Sequence, residues 1–175
     1  MRAARLSAGL ALALLVHLMG TRLFPSLPER LDVFLVVALL NGLEGSSLSA
    51  LLYGLAAGLI QDSLGNGPIG LHGFADTVVA YGAARLAQRL VIQRAAGVGS
   101  VVAFAALVQQ AILTAMAFLL LPSPSLPAPP GILVQAVAKA LACGVLAMVI
   151  YAAEGRWRRL NETRRRGRMG RLRLE

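Results

Sequence analysis

Long apolar runs, separated by short segments that contain charge, proline or glycine, dominate this 175-residue chain. They predict six helices, at residues 6–24, 31–43, 45–61, 69–90, 98–121 and 131–153. Residues 95–138 contain no Asp, Glu, Lys or Arg, a stretch with room for about two membrane spans of roughly 20 residues each. The pattern therefore predicts an all-α polytopic membrane protein with about six transmembrane helices.

The second run is shorter than an ordinary membrane-crossing helix. Its 13 residues, 31–43, make a helix of about 20 Å at a rise of about 1.5 Å per residue. The hydrocarbon core of a bilayer is about 30 Å thick. This segment therefore either crosses nearly upright through a locally thinned bilayer or is re-entrant, and we favour crossing.

Arginine positions predict the orientation, because short cytoplasmic segments are enriched in Lys and Arg. The basic start of the chain precedes a first run that shows no Ala-x-Ala cleavage site, so we expect an uncleaved first span. Six crossings then return Arg85, Arg89 and Arg94 to the cytoplasm after the fourth span and the arginine-rich tail after the sixth. Segments 62–68 and 122–130 fall outside. Both termini are predicted to be cytoplasmic.

Composition agrees with a lipid environment. Hydrophobic residues make up 57% of the chain and charged residues 14%, compared with about 25% charged residues in soluble domains. A soluble enzyme is therefore not expected. We divide the chain into a transmembrane domain, 1–155, and a basic cytoplasmic tail, 156–175.

The formal net charge of +9 belongs mainly to the tail, which contains nine of the 17 basic residues. The tail is either an anchor that sets topology or a contact for anionic lipid or an acidic cytoplasmic partner. No nucleic-acid partner is expected, because beyond the single Trp157 no aromatic residues are interleaved with the basic ones. The residues assigned to this contact are Arg156, Trp157, Arg158, Arg159, Arg164, Arg165, Arg166 and Arg168.

A row of small residues follows the third predicted helix. Ser46, Ala50, Gly54 and Gly58 recur every four residues, and Asp62 continues the row. Rows of small residues let helices approach closely in lipid. The row predicts a helix contact, either within the chain or with another subunit.

Two charged residues fall inside predicted spans. Asp76 lies on the small-residue face of the fourth span, and Lys139 lies at a matching depth in the sixth. A charge facing lipid at the bilayer centre costs about 2.5 to 3.5 kcal/mol on insertion scales. An intramembrane Asp76–Lys139 ion pair is therefore our hypothesis. His72, four residues before Asp76, is a further candidate hydrogen-bond partner of Asp76.

Catalytic motifs are missing from the sequence: no HExxH, GxSxG, P-loop or dinucleotide fingerprint occurs. Cys143 is the sole cysteine, which excludes an intrachain disulfide or a thiolate metal cluster. We therefore expect no enzyme activity, no catalytic residues, no cofactor, no metal and no small-molecule substrate.

Residues 54–81 resemble the central signature of the MreD family of bacterial rod-shape-determining membrane proteins. A small-residue helix, an aspartate, a Gly/Pro turn and a second helix follow one another in the same order. The residues assigned to helix packing or a partner interface on this resemblance are Gly54, Gly58, Asp62, Pro68, Gly70, Asp76 and Tyr81. Asp62 is read either as a turn residue or as part of a partner surface.

The resemblance implies a non-enzymatic scaffold of cell-wall elongation in the bacterial inner membrane. Its implied partners are MreC, the actin-like MreB, and RodA with its class B penicillin-binding protein, in addition to membrane lipid. The family is also distantly similar to the six-helix S components of ECF vitamin transporters. The alternative function is therefore a small-molecule-binding subunit of such a transporter.

Overall fold

The structure is a computed structural model that describes residues 2–23, 31–65, 68–89, 94–120 and 129–171. Side chains are described within these ranges except at 2–6, 89, 129–130 and 158–171. The predicted outer segment 122–130 therefore lies largely outside the described residues, as do the side chains of Arg158, Arg159, Arg164, Arg165, Arg166 and Arg168.

The described residues form an all-helical fold with six α-helices, as the apolar runs predict. The helix ends agree with the predicted segments to within a few residues, except at the C-terminal end of the last helix. The helices are α1 (Arg2–Leu23), α2 (Val33–Leu43), α3 (Ser47–Leu64), α4 (Leu71–Arg89), α5 (Ala95–Leu120) and α6 (Pro129–Arg171).

The short helix α2 lies at the centre of the bundle. It contacts each of the other five helices, and Leu35, Val36 and Ala38 have no exposed surface. A helix that is apolar on every side is typical of a position enclosed by other helices. Asp32 caps its N-terminus, because the Asp32 side chain accepts a hydrogen bond from the backbone N–H of Leu35 at 3.0 Å.

Two antiparallel hairpins, α3–α4 and α5–α6, pack around α2. Small residues set how closely the helices of each hairpin approach. A Cβ added at Gly58 would collide with the backbone of His72 and Gly73, and one at Gly54 would collide with the backbone of Asp76. In the second hairpin, Gly99 lies directly against Gly144. The row of small residues on α3 therefore packs within the chain, with Gly54 and Gly58 against α4 and Ala50 against Gly42 of α2.

The outer surface of the bundle is strongly apolar. Large hydrophobic side chains are exposed on α1, α3, α4, α5 and α6, for example Leu12, Leu48, Phe74, Phe104 and Leu141. Ala95–Leu120 and Gly131–Trp157 are long and apolar enough to cross a membrane, and Ser7–Leu23 and Val33–Leu43 are shorter apolar helices. Such a surface is suited to lipid rather than to water.

Helix α6 does not end at the predicted boundary between domain and tail. It runs as one helix through residue 155 to Arg171. Its apolar part and residues 156–171 of the arginine-rich tail are therefore one continuous element.

Candidate functional site

Asp62, near the end of α3, caps the N-terminus of the next helix, α4. Its carboxylate accepts hydrogen bonds from the backbone N–H groups of Gly70 (2.8 Å), His72 (3.1 Å) and Gly73 (3.0 Å), and His72 Nδ1 lies 2.8 Å from Oδ1. The first N–H groups of a helix have no partner inside the helix, and an acidic side chain that accepts from them stabilises the helix end. Asp62 at the end of α3 therefore fixes the turn and the start of α4.

The environment of Asp62 favours its ionised form. Burial by itself raises the pKa of this carboxyl, but the N–H group of Gly73, the His72 side chain and the N–H groups of His72 and Gly70 together lower the pKa below its ordinary value. Only 2% of the Asp62 side chain is exposed. Its bonds are therefore directed into the chain, as the turn interpretation requires.

Gly70 completes this turn. Its φ is +106°, a backbone conformation that residues other than glycine rarely adopt. Pro68 precedes it and is exposed. The Gly/Pro turn of the signature thus places the Gly70 N–H against Asp62.

A second group of polar side chains lies in the core, and five helices contribute to it. We call Asp32, Gln61, Asp76, Gln109 and Lys139 the buried polar cluster. Asp32 Oδ2 accepts hydrogen bonds from Gln61 Nε2 (3.2 Å) and Gln109 Nε2 (2.8 Å), and Lys139 Nζ lies 3.3 Å from the same oxygen. The N-cap of α2 is therefore the junction at which α3, α5 and α6 meet.

Gln109 connects Asp32 to Asp76. Its Nε2 also donates to Asp76 Oδ1 at 2.6 Å. Neither Asp76 nor Gln109 has exposed surface. Among the described residues, Asp76 Oδ2, Gln109 Oε1 and Gln61 Oε1 have no hydrogen-bond partner. Three buried oxygens are thus unsatisfied in one cluster, which is unusual for a folded protein.

The ion pair of Lys139 differs from the hypothesis drawn from the sequence. Lys139 pairs with Asp32, and Asp76 joins the same cluster through Gln109. The matching depths of Asp76 and Lys139 placed them at one level of the bundle. Depth does not determine which carboxylate faces the lysine, and the central position of α2 brings Asp32 between the two helices.

His72 also has a different partner from the expected one. Its Nδ1 contacts Asp62, not Asp76. At the start of α4 the His72 backbone already bonds to Asp62, so the side chain reaches the same carboxylate. Asp32 is not among the candidate residues predicted from the sequence, although an aspartate directly before an apolar run is a recognised N-cap signal.

A polar cavity of about 470 Å³ adjoins the buried polar cluster. It lies at the end of the bundle where α1 and α3 end and α4 begins. Gln61 and Lys139 belong both to its wall and to the cluster. The other lining residues are His17, Thr21, Leu64, Gly65, His72, Gln110, Leu113 and Gln135.

The remaining assigned residues lie on the surface. Tyr81 on α4 is 38% exposed, and its hydroxyl accepts a hydrogen bond from Arg85 Nε at 3.2 Å. Arg156 is exposed, and Trp157 is 69% exposed. Among the assigned residues, the structure therefore separates a buried set from an exposed set. The buried residues are Gly54, Gly58, Asp62, Asp76 and Lys139, and the exposed ones are Pro68, Tyr81, Arg156 and Trp157.

Metal-binding chemistry is not apparent in the described part of the chain. No group of three or more His, Cys, Asp or Glu side chains there is arranged to hold a metal ion. Cys143 is buried, and the backbone N–H of Asp32 donates to its Sγ at 3.4 Å.

Comparison with known proteins gives one family. The family model of the rod shape-determining protein MreD matches residues 9–126. These residues include most of α1, all of α2 to α5, the Asp62 turn and every member of the buried polar cluster except Lys139. No curated protein and no solved structure matches the chain.

Proposed function

Because the chain belongs to the family of the rod shape-determining protein MreD, we propose that it is a non-enzymatic membrane scaffold of the cell-wall elongation machinery. Family membership assigns it a role in determining rod shape. The finer proposal is that it links MreC to the peptidoglycan synthase complex of RodA and its class B penicillin-binding protein, and through them to MreB. The family match is the observation that carries this proposal.

The proposed architecture has six crossings of the bacterial inner membrane, with both termini in the cytoplasm. Residues 1–155 would form the transmembrane domain and residues 156–175 the cytoplasmic tail. The exposed apolar side chains of five helices support a bundle embedded in lipid. Enclosure of α2 by the other helices supports a short second crossing, because its ends would then be shielded from lipid by protein.

A scaffold must keep its shape while partners bind to it, and the polar residues support this role. Asp62 bonds to the start of α4, and Asp32 joins α2, α3, α5 and α6. These side chains hold helices together. Exposed residues of the signature, residues 54–81, would then contact the partners. Among these exposed residues, Tyr81 has the largest side chain.

The experiment that tests this function is replacement of the native protein in the source bacterium by Tyr81→Ala, followed by affinity purification in mild detergent. We expect wild-type protein to maintain rods and to recover MreC. The Tyr81→Ala variant is expected to recover at least several-fold less MreC and to give wider or rounded cells at equal membrane abundance.

Phe104→Ala is the matched control, because Phe104 is another exposed aromatic residue, on α5. It should behave as wild type. Normal rods after complete depletion would refute the scaffold function. Equal MreC recovery by both variants would instead refute only the Tyr81 contact.

A small-molecule-binding subunit of the ECF type is the second candidate function, and the polar cavity is where such a molecule would bind. It predicts that depletion leaves cell shape unchanged and lowers uptake of a vitamin. The same depleted cells distinguish the two functions.

A further inference from the structure

The buried polar cluster has one more negative charge than positive charge if both of its aspartates are ionised. Asp32 and Lys139 balance each other, with 0% and 7% of their side chains exposed. Asp76 is fully buried and would be an uncompensated charge. Moving an isolated carboxylate out of water is very costly, and buried groups usually become neutral instead.

Other charged groups do not relieve this excess. The charged groups that act on Asp76 are Asp32 from α2, Asp62 from α3 and Lys139 from α6. Helix α5 has no titratable residue. On α4 itself, His72 is engaged with Asp62. Lys139 is therefore the one cation among these groups, and Asp32 is its direct partner.

Two of the three unsatisfied oxygens lie in side chains that are already joined by a hydrogen bond. Gln109 Nε2 donates to Asp76 Oδ1 at 2.6 Å, while the other oxygen of each group, Gln109 Oε1 and Asp76 Oδ2, has no partner among the described residues. Both atoms are acceptors when Asp76 is ionised. A hydrogen on Asp76 Oδ2 would supply the donor that both atoms lack.

We propose that Asp76 is a proton-binding site, at which a carboxylic O–H at Oδ2 donates to Gln109 Oε1. A single proton removes the excess charge and satisfies two of the three orphaned oxygens together. Asp32 remains ionised, because it accepts from Leu35, Gln61 and Gln109 and pairs with Lys139.

Among the described residues, the polar cavity offers the cluster an approach from outside the bundle. The polar cavity reaches Gln61 and Lys139, which belong to the cluster itself. On the other side, the helices continue from the cluster into apolar core residues such as Leu39, Val79, Val102 and Ala147. Proton exchange is therefore with the compartment at the α3–α4 turn.

Infrared spectroscopy of the full-length protein in lipid vesicles tests the proposal. We expect wild-type protein near neutral pH to show the C=O stretch of a protonated carboxyl, with the usual downshift in D₂O. Asp76→Asn should abolish this band. Asp62→Asn is the matched control and should retain it, because Asp62 is an ionised carboxylate with donors on both oxygens. Absence of the band in wild type, or its persistence in Asp76→Asn, would overturn the proposal.

Stability gives an independent readout. The Asn side chain offers an N–H donor and a C=O acceptor, so Asp76→Asn should keep both bonds to Gln109 and melt within a few degrees of wild type. Asp76→Leu leaves both polar atoms of Gln109 without that partner and should melt markedly lower. Equal losses in the two variants would contradict a neutral Asp76.

Sodium is the competing occupant, since carboxylate and amide oxygens also suit this ion. The proton site predicts the same infrared band in sodium chloride and in choline chloride. A band that appears only when sodium is withdrawn would show that sodium occupies the site and would refute the proposed proton site.

Discussion

Asp32 and Lys139 place opposite charges in the core at 3.3 Å, and each depends on the other. The net value of such a pair is small, because both ions lose their hydration. Removing one partner is much more costly, since it leaves the other charge buried without compensation. We therefore expect the pair to contribute specificity by favouring the arrangement in which the N-terminus of α2 faces α6.

A double-mutant cycle should measure this dependence. Asp32→Asn and Lys139→Met are each expected to lower the free energy of unfolding in detergent by about 3–5 kcal/mol, the usual cost of an unpaired buried ion. The double variant should lose less than the sum of the two. Gln61→Leu is the control for loss of a hydrogen bond from an uncharged side chain to Asp32, with an expected cost of about 1.5–3 kcal/mol. Strictly additive losses for Asp32 and Lys139 would contradict the pair.

At this scale the sequence predicted that charges are buried but not their pairing. The positions of Asp76 and Lys139 along their helices gave similar depths. The partner depends on rotation about the helix axes and on which helix lies between them. Neither is encoded in spacing within a single helix, so Asp32, in a different apolar run, went unrecognised.

Helices α3 and α4 illustrate what spacing does encode. Gly54 and Gly58 share one face of α3, and that face meets the backbone of α4. The row predicts that another helix packs closely against this face of α3. It does not tell whether that helix belongs to the same chain or to another subunit. The short turn at Pro68 and Gly70 favours packing of α4 against this face, because it keeps α4 next to α3.

Alanine substitutions should reveal this contact. In Gly58→Ala the new Cβ overlaps the backbone of His72 and Gly73, which cannot rotate away as a side chain can. The helices must separate, with an expected loss of about 1–3 kcal/mol. Thermal unfolding of the purified protein measures it.

Gly82→Ala provides the matched control on α4, because a Cβ at Gly82 meets nothing within 4 Å. It should be neutral or stabilising by about 0.5–1 kcal/mol, since alanine favours the helix. A loss at Gly82 equal to that at Gly58 would mean that helix packing is not the cause.

Helix α2 was the element that its sequence described least well. Its apolar run is shorter than the thickness of the bilayer core. From length alone, α2 is therefore expected either to cross a locally thinned bilayer or to be re-entrant. In the structure α2 is enclosed by five helices. Its uniform hydrophobicity reflects protein neighbours on every side, and a single apolar run does not distinguish protein from lipid.

For the whole molecule, helix count and charge distribution together predict how the bundle lies in the membrane. Six helices are described, and most of the arginine-rich tail lies in the C-terminal part of the last of them. An even number of crossings returns the C-terminus to the side on which the chain began. If α2 and α3 made one crossing together, the arginine tail would lie outside, against the usual charge bias.

Fusions to alkaline phosphatase, which is active only outside the cytoplasm, test this arrangement in living cells. A fusion after Ser125, between α5 and α6, should be active, and fusions after Arg94 and after Glu175 should be inactive. The Arg94 fusion isolates the first four crossings, and the Glu175 fusion adds the last two. Activity at both Arg94 and Glu175, with none at Ser125, would mean that α2 and α3 cross only once in total, because a single lost crossing inverts every later segment.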